Sequence, residues 1–196
     1  MASEHLVLRP GEPDVNAYRL LTALVVPRPI AWVSTLSADG VGNLAPHSFF
    51  TIASASPPIV QLTSVGAKDT LRNVEETGEL TISLASEPLI DLVNDTSARF
   101  EADVDEADRL GIAMAPSAVV APPRVADSPA SLECRLHRTI PVGDSVLVLA
   151  DVVAVTVDPD VLVDGHPALD RLAPLSRLGA DEWGLAPRVV TRERPR

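Results

Sequence analysis

The sequence predicts a mainly β domain with inserted helices (α+β), built around an antiparallel barrel. Apolar residues make up 46% of the chain but aromatic residues only 3%, so Val, Leu, Ile and Ala must form the core. Short Val-rich runs of this kind favour strands over long helices. Turn signals, above all Asp39-Gly40 and Gly143-Asp144, separate strand-like segments along the chain.

The first half begins with an irregular lead-in over residues 1–19. Three strands are then predicted, at 30–36, 43–54 and 59–65. Asp39-Gly40 connects the first two as a hairpin turn, and Pro57-Pro58 interrupts the sheet because proline cannot donate to a ladder. Three strands with two short connections favour an antiparallel meander.

Helices are expected between the next strands. Residues 68–77 carry apolar residues at helical spacing, and Gly78 can provide the left-handed C-terminal cap. A half-buried strand follows at 79–85, because its apolar and polar residues alternate. Ser86 is a candidate N-cap for the next helix, and a third short helix is predicted at 104–110.

The second half predicts an irregular Pro-rich segment at 116–129, followed by two further strands. These strands occupy residues 132–139 and 145–157, with Gly143-Asp144 as the turn between them. From residue 158 the chain has the composition of a loop. The whole pattern is that of one domain, with a helical excursion inserted between barrel strands.

Composition excludes several function classes. A net charge of −11 and a pI of about 4.7 argue against nucleic acid and anionic membranes as partners, since both require a basic face. Cys134 is the single cysteine, so neither an intrachain disulfide nor a cysteine-based metal cluster is expected. The histidines lack ligand spacing, so no metal site is predicted. Residues 1–10 do not resemble a secretory signal, and residues 146–157 are too short to span a bilayer. A cytoplasmic protein is expected.

The familiar nucleotide-binding and hydrolase loops (G-x-G-x-x-G, G-x-x-x-x-G-K-[ST] and G-x-S-x-G) do not occur. Polar residues instead gather at strand ends and at the start of the helix that begins near Lys68. Free N–H groups at a helix N-terminus attract phosphate, and hydroxyls of Ser34, Thr35 and Ser64 can complete such a site. The alternative is that Asp69 or Thr70 merely caps the helix and the hydroxyls bond their own backbone.

Two long segments stand out, PRPIAWVSTLSADGVGNLAPHSFF (27–50) and PPIVQLTSVGAKDTLRNVEETGELTISLAS (57–86). Both resemble the flavin-reductase-like FMN-binding split barrels, including the flavoredoxin-type members. Weaker matches are NDTSARF (94–100), SPASLECRL (128–136) and LAPLSRLGADEW (172–183). The resemblance implies one such domain over residues 1–196, with its core at about 18–183 and a Greek-key-like split β-barrel fold.

The same resemblance implies a homodimer with one FMN per protomer near the subunit interface. It places the following residues around the cofactor: Ser34, Thr35, Asn43, Ala45, Pro46, His47, Ser48, Phe49, Thr63, Ser64, Lys68, Asp69, Thr70 and Arg177. Lys68, Asp69 and Thr70 match the family's K-D-T element beside the phosphate. Trp183 departs from the family, since many relatives have Tyr at that position.

The function implied is an oxidoreductase that takes hydride from NAD(P)H, reduces FMN and passes electrons to a small acceptor or a partner monooxygenase. A bound flavin carries this chemistry itself, so no catalytic triad is expected. His47 is the candidate group that positions or shields the nicotinamide; the alternative is a histidine bonded to a neighbouring loop. A rival function is a non-catalytic flavin or haem carrier, or an electron-transfer protein, on the same barrel.

Overall fold

The structure, a computed structural model, describes residues 5–195. Its α-helices are α1 (Ala17–Leu24), α2 (Asp69–Thr77), α3 (Ile90–Asp95), α4 (Glu106–Leu110) and α5 (Leu169–Leu172), with 3₁₀ turns at Glu87–Leu89 and Pro159–Val161. The longer strands are β2 (Ala31–Leu36), β3 (Gly42–His47), β4 (Phe50–Ala55), β5 (Pro58–Val65), β6 (Glu79–Leu84), β9 (Ala130–Val142) and β10 (Ser145–Val157). Two-residue strands are β1 (Arg28–Pro29), β7 (Met114–Ala115), β8 (Arg124–Val125), β11 (Leu162–Val163), β12 (His166–Pro167), β13 (Ser176–Arg177) and β14 (Trp183–Gly184).

The long strands form one antiparallel sheet in the order β3-β2-β6-β9-β10-β5-β4. Its two edge strands, β3 and β4, follow each other in the chain and are joined by just Ser48 and Phe49. The sheet must therefore curl until its edges meet. The Thr63 N–H of β5 donates to the Phe49 carbonyl at 2.9 Å, so the link between the two edge strands is itself bonded to β5. The mainly β fold class and the antiparallel barrel are thus confirmed.

The predicted meander is wrong. Residues 43–54 form two strands, not one: β3 pairs with β2 and β4 pairs with β5, at opposite edges of the sheet. The chain leaves one edge at Ser48 and enters the other at Phe50. Because both halves of this segment have strand composition, the pattern alone does not reveal the bend between them.

Helix α1 was not predicted, and it replaces the end of the irregular lead-in. Asn16 caps it, with the Asn16 side-chain oxygen accepting from the Arg19 N–H at 3.0 Å. Thr22 is the buried residue of this helix, while Tyr18, Leu21 and Leu24 are exposed. The apolar face of α1 thus points into solvent.

Helices α2, α3 and α4 agree with the sequence except at their ends, whereas α5 lies in the tail that was expected to be a loop. Helix α2 ends at Gly78, which has a φ of +74° as expected of a left-handed cap. After Ser86 the chain first makes the 3₁₀ turn and then α3; Ser86 stands at the N-cap position, but within residues 5–195 its side chain makes no capping bond. Helix α4 starts two residues later than predicted, because Asp105 caps it by accepting from the Ala107 and Asp108 N–H groups.

The predicted second half is correct for β10, while β9 extends beyond 132–139 at both ends. The segment 116–129 and the tail are less irregular than expected. β8 pairs with β7, and β13 pairs with both β1 and β14, which ties the tail back to the start of the barrel.

Alternation along β2 separates two apolar cores. Val33 faces a cluster inside the barrel, which Leu71 and Val74 of α2 join. Trp32 faces the second cluster, under α3 and α4, where its Nε1–H donates to the Thr96 hydroxyl at 2.9 Å. Helix α2 is thereby held against the barrel, which fixes the position of its N-terminus. Among the helices described, none has the length and apolar character needed to cross a membrane.

Candidate functional site

A cavity of about 860 Å³ lies between β3, the start of α2 and the segment 96–100. Seven predicted site residues line it: Asn43, Ala45, Pro46, His47, Lys68, Asp69 and Thr70. They come from two stretches of the chain that the barrel brings together, since α2 packs against both β2 and β3. The volume is towards the upper end of the range for small-molecule sites.

The N-terminus of α2 is open at the cavity. Lys68 occupies the N-cap position, and its side chain has no atom that can accept a hydrogen bond. Among residues 5–195 the main-chain N–H groups of Asp69, Thr70 and Leu71 find no acceptor. Three free donors, the positive end of the helix dipole and the Lys68 ammonium group together make a site for an anion.

The loop before α2 is fixed from behind. Gly66 has a φ of +75°, and its N–H donates to the Asp144 carbonyl at 3.1 Å. The buried Ser64 hydroxyl donates to the Gly66 carbonyl at 3.0 Å. Ser64 thus shapes the loop and does not line the cavity in this chain.

A buried polar network forms the inner wall. The Asn43 Nδ2 donates to the Thr70 hydroxyl at 3.0 Å and to the Thr35 hydroxyl at 3.3 Å, and the Asn73 Nδ2 donates to Thr35 at 3.1 Å. His47 Nε2 lies 3.3 Å from the Thr70 hydroxyl. Asn73, which sequence reasoning missed, has its Oδ1 buried without a partner among the described residues.

His47 is neutral in this setting. Burial of the ring, followed by the nearby Lys68 charge, lowers the pKa of His47 to about 4, against a smaller opposing effect of its hydrogen bond with the Thr63 backbone. Nε2 of the ring also lies within hydrogen-bond distance of the Thr70 hydroxyl, and which of the two donates depends on the tautomer. An uncharged imidazole that makes two hydrogen bonds orients its neighbours and does not readily donate a proton.

Glu106 is a second titratable group in the wall. Its Oε2 accepts from the Leu44 N–H at 2.8 Å, at the open edge of β3. Burial is the main cause that raises the pKa of Glu106, which that hydrogen bond partly offsets. Although Glu106 lies in an acidic stretch of the sequence, it is only 7% exposed and does not belong to a solvated helix face.

The remaining predicted residues lie outside the cavity lining of the described chain. They are Ser34, Thr35, Ser48, Phe49, Thr63, Ser64 and Arg177. Arg177 stacks 4.8 Å from the centre of the Trp183 ring and donates to the Ala180 carbonyl at 2.8 Å. Its role at a cofactor stays a prediction.

Sequence reasoning missed the outer wall of the cavity. Arg72, on α2, and residues 96–100 line it, with Arg99 as a second unanticipated cation. The segment NDTSARF (94–100) carries the sequence signal for this wall, but its resemblance to the family is too weak to assign single residues to the site.

A more open hollow of about 580 Å³ lies near Gly42 and α4. Its acidic residues are Asp103, Asp105 and Asp108. Within residues 5–195 no group of three His, Cys, Asp or Glu side chains is arranged to hold a metal ion. This hollow contains none of the predicted site residues.

Known proteins resemble this chain over most of its length. The model of the flavin reductase like domain matches residues 23–172. Nitrilotriacetate monooxygenase component B from Bacillus cereus is 29% identical with a TM-score of 0.92, over 97% of this chain and 100% of that one. The 2-nitrobenzoate 2-nitroreductase NbaA from Pseudomonas fluorescens is 26% identical with a TM-score of 0.89, over 97% and 96%. Flavoredoxin of Desulfovibrio vulgaris (Miyazaki F), 20% identical over 95% and 97%, shares the fold with a TM-score of 0.79.

Proposed function

We propose, from the premise that this chain belongs to the flavin reductase like family, that it is an FMN-dependent oxidoreductase using NAD(P)H. The observation that carries the proposal is the uncapped, lysine-bearing N-terminus of α2, which opens into a cavity of about 860 Å³. An anion site and a large polar and apolar cavity in one place suit a phosphorylated flavin.

The phosphate would bind at the start of α2. The free N–H groups of Asp69, Thr70 and Leu71 point from the first turn, and Lys68 adds a charge-assisted contact. Ser64 holds the loop that presents these groups. Thr35 supports this corner from the neighbouring strand through Asn43 and Asn73. Ser34 is next to Thr35 on β2 and therefore points to the opposite face, that of Trp32.

When bound, the flavin supplies the hydride chemistry, and the protein supplies orientation and a suitable environment. Asn43, His47 and Thr70 provide a neutral wall whose hydrogen bonds are already made. Such a preformed wall holds a ring without reorganisation, which favours close alignment with a nicotinamide. We assign His47 a positioning role, and we place Ala45, Pro46, Ser48, Phe49 and Thr63 along the ring edge.

Two similar proteins support a proposal for the electron acceptor. One similar protein is a monooxygenase component and another a nitroreductase. We propose that reduced flavin serves a partner monooxygenase, with direct reduction of a small molecule as the second possibility. The proposal implies a cytoplasmic location, since the NAD(P)H pool is there.

We also propose a homodimer, supported by the exposed face of α1. Tyr18, Leu21 and Leu24 lie on this short helix, Val25 directly follows it, and all four are largely solvent-accessible. Apolar residues grouped on one surface indicate a contact with another protein chain. The pairing of β1 with β13 supports treating residues 18–183 as one domain, of which this face is a part.

The deciding experiment is an anaerobic titration of the purified protein. We expect a yellow protein whose flavin absorbance bleaches when NADH or NADPH is added. A yellow protein that stays oxidised with both would support the carrier or electron-transfer alternative. A colourless protein that does not bind added FMN would refute both functions.

A further inference from the structure

The lining of the cavity is rich in positively charged residues, whereas the protein as a whole is negatively charged. The chain has a net charge of −11, yet Lys68, Arg72 and Arg99 all line this cavity. The carboxylates in the same lining are Asp69 and Glu106. This concentration of cations favours the binding of a negatively charged ligand.

Both carboxylates already have partners. Asp69 Oδ1 lies 2.6 Å from Arg72 Nη1, and Glu106 accepts from the Leu44 N–H. Among residues 5–195, Lys68 and Arg99 have no carboxylate within 4.0 Å. Two cations therefore remain for an external anion.

These two cations lie on different elements. Lys68 stands at the N-terminus of α2, where three free N–H groups assist it. Arg99 lies in the segment after α3, on the outer wall. The α2 corner is sufficient for the single phosphate of FMN, so the Arg99 guanidinium is left for a phosphate of a second ligand.

We propose that Arg99 binds a phosphate group of the nicotinamide dinucleotide and so helps to select the hydride donor. A guanidinium forms paired hydrogen bonds with phosphate oxygens, which makes it well suited to this task. The cavity volume leaves room for a second ligand beside a flavin. This inference rests on the proposed function, because it assigns a residue to that same reaction.

The dinucleotide offers two phosphate sources, the diphosphate bridge and the 2′-phosphate of NADPH. Calorimetry on the FMN-loaded protein separates them, with adenosine 5′-diphosphate and adenosine 2′,5′-bisphosphate as probes. Arg99→Ala should weaken binding about tenfold for the bisphosphate alone if Arg99 binds the 2′-phosphate, and for both probes if it binds the bridge. KM should rise accordingly, for NADPH alone or for both donors, with kcat unchanged.

Arg99→Lys should restore part of the affinity, because it keeps the charge without the paired geometry. Arg138→Ala is the matched control: Arg138 is also exposed, and it lies on β9 outside the cavity lining. Unchanged affinity of Arg99→Ala for both probes would overturn the inference. A loss of FMN affinity as large as the loss of probe affinity would also overturn it, because Arg99 would then bind the flavin phosphate.

The two proposals fail in different ways. A wild-type protein that binds FMN and is reduced normally, but whose Arg99→Ala variant behaves like wild type, refutes the role of Arg99 alone. A wild-type protein that binds no flavin refutes the proposed function and the inference with it.

Discussion

Protonation of His47 should destabilise the fold, and the structure sets the size and direction of the effect. The ring is buried, with a pKa of about 4 in the folded protein against 6.5 in an unfolded chain. The unfolded state therefore takes up the proton first as pH falls. The contribution of neutral His47 to the free energy of unfolding is therefore fully present above about pH 6.5 and is lost as the pH falls to about 4.

The magnitude follows from the difference between those two pKa values. Linkage gives a loss of about 2 kcal/mol by about pH 5 and about 3 kcal/mol by about pH 4. Urea unfolding at a series of pH values, followed by circular dichroism, measures it. Burial raises the pKa of Glu106, so this carboxyl also contributes to the pH dependence of stability. The informative quantity is therefore the difference between wild type and His47→Gln.

We expect the His47→Gln variant to show a flatter dependence of unfolding free energy on pH, by about 2 kcal/mol between about pH 7 and pH 5. His166→Gln is the matched control, since His166 lies in the exposed hairpin strand β12, where its ring meets solvent in both states. Parallel curves for wild type and His47→Gln would contradict the buried, neutral imidazole. Bound phosphate should make the loss smaller, because it offsets the Lys68 charge that disfavours the imidazolium.

Further predictions concern the phosphate corner, the exposed helix and a buried carboxylate. Lys68→Ala should weaken the binding of FMN by about 1.5–3 kcal/mol, and that of riboflavin far less, in fluorescence titrations with Arg138→Ala as control. An equal loss of affinity for both flavins would show that Lys68 does not bind the phosphate. Leu24→Asp should give a folded monomer in sedimentation, since Leu24 is 69% exposed; an unchanged dimer would exclude this face. Glu133→Ala should cost about 3 kcal/mol in urea unfolding, because Glu133 accepts from the Ala118 and Val119 N–H groups at 2.8 and 2.7 Å. A cost below about 1 kcal/mol would show that those N–H groups find water instead.

The sequence was sufficient for the family, the fold class and most strands. Alternation in 79–85 and the turn glycines at 40 and 143 are local signals, and each corresponds to a strand or turn in the structure. The flavin-reductase-like resemblance of residues 27–50 and 57–86 is confirmed by the family match over residues 23–172.

What the sequence missed depends on contacts or surfaces that are not local. Helix α1 has a capping residue in Asn16, but its apolar side chains face outward, so no core pattern marks it. The bend at Ser48 and Phe49 becomes visible only when the pairing of β3 with β2 and of β4 with β5 is known.

In the candidate site, too, some residues were predictable from local sequence and others depend on distant contacts. Lys68 was predictable because a cation at a helix start favours an anion site, and Thr70 was predicted from the resemblance to the K-D-T element of the family. Glu106 and Arg99 were not assigned, because each reaches the cavity from an element far from Lys68 in sequence. Charge and exposure alone do not distinguish such residues from ordinary surface positions.

The strand order also has a consequence for biosynthesis. Hairpins β2–β3 and β4–β5 form from neighbouring residues, whereas β5 needs β10, which is made some eighty residues later. Such distant pairing forms late in folding. The loop that carries Gly66 is held by the Asp144 carbonyl, at the turn leading into β10. A nascent chain therefore has no finished pocket, and the proposed flavin can bind there only after the ribosome has passed residue 157.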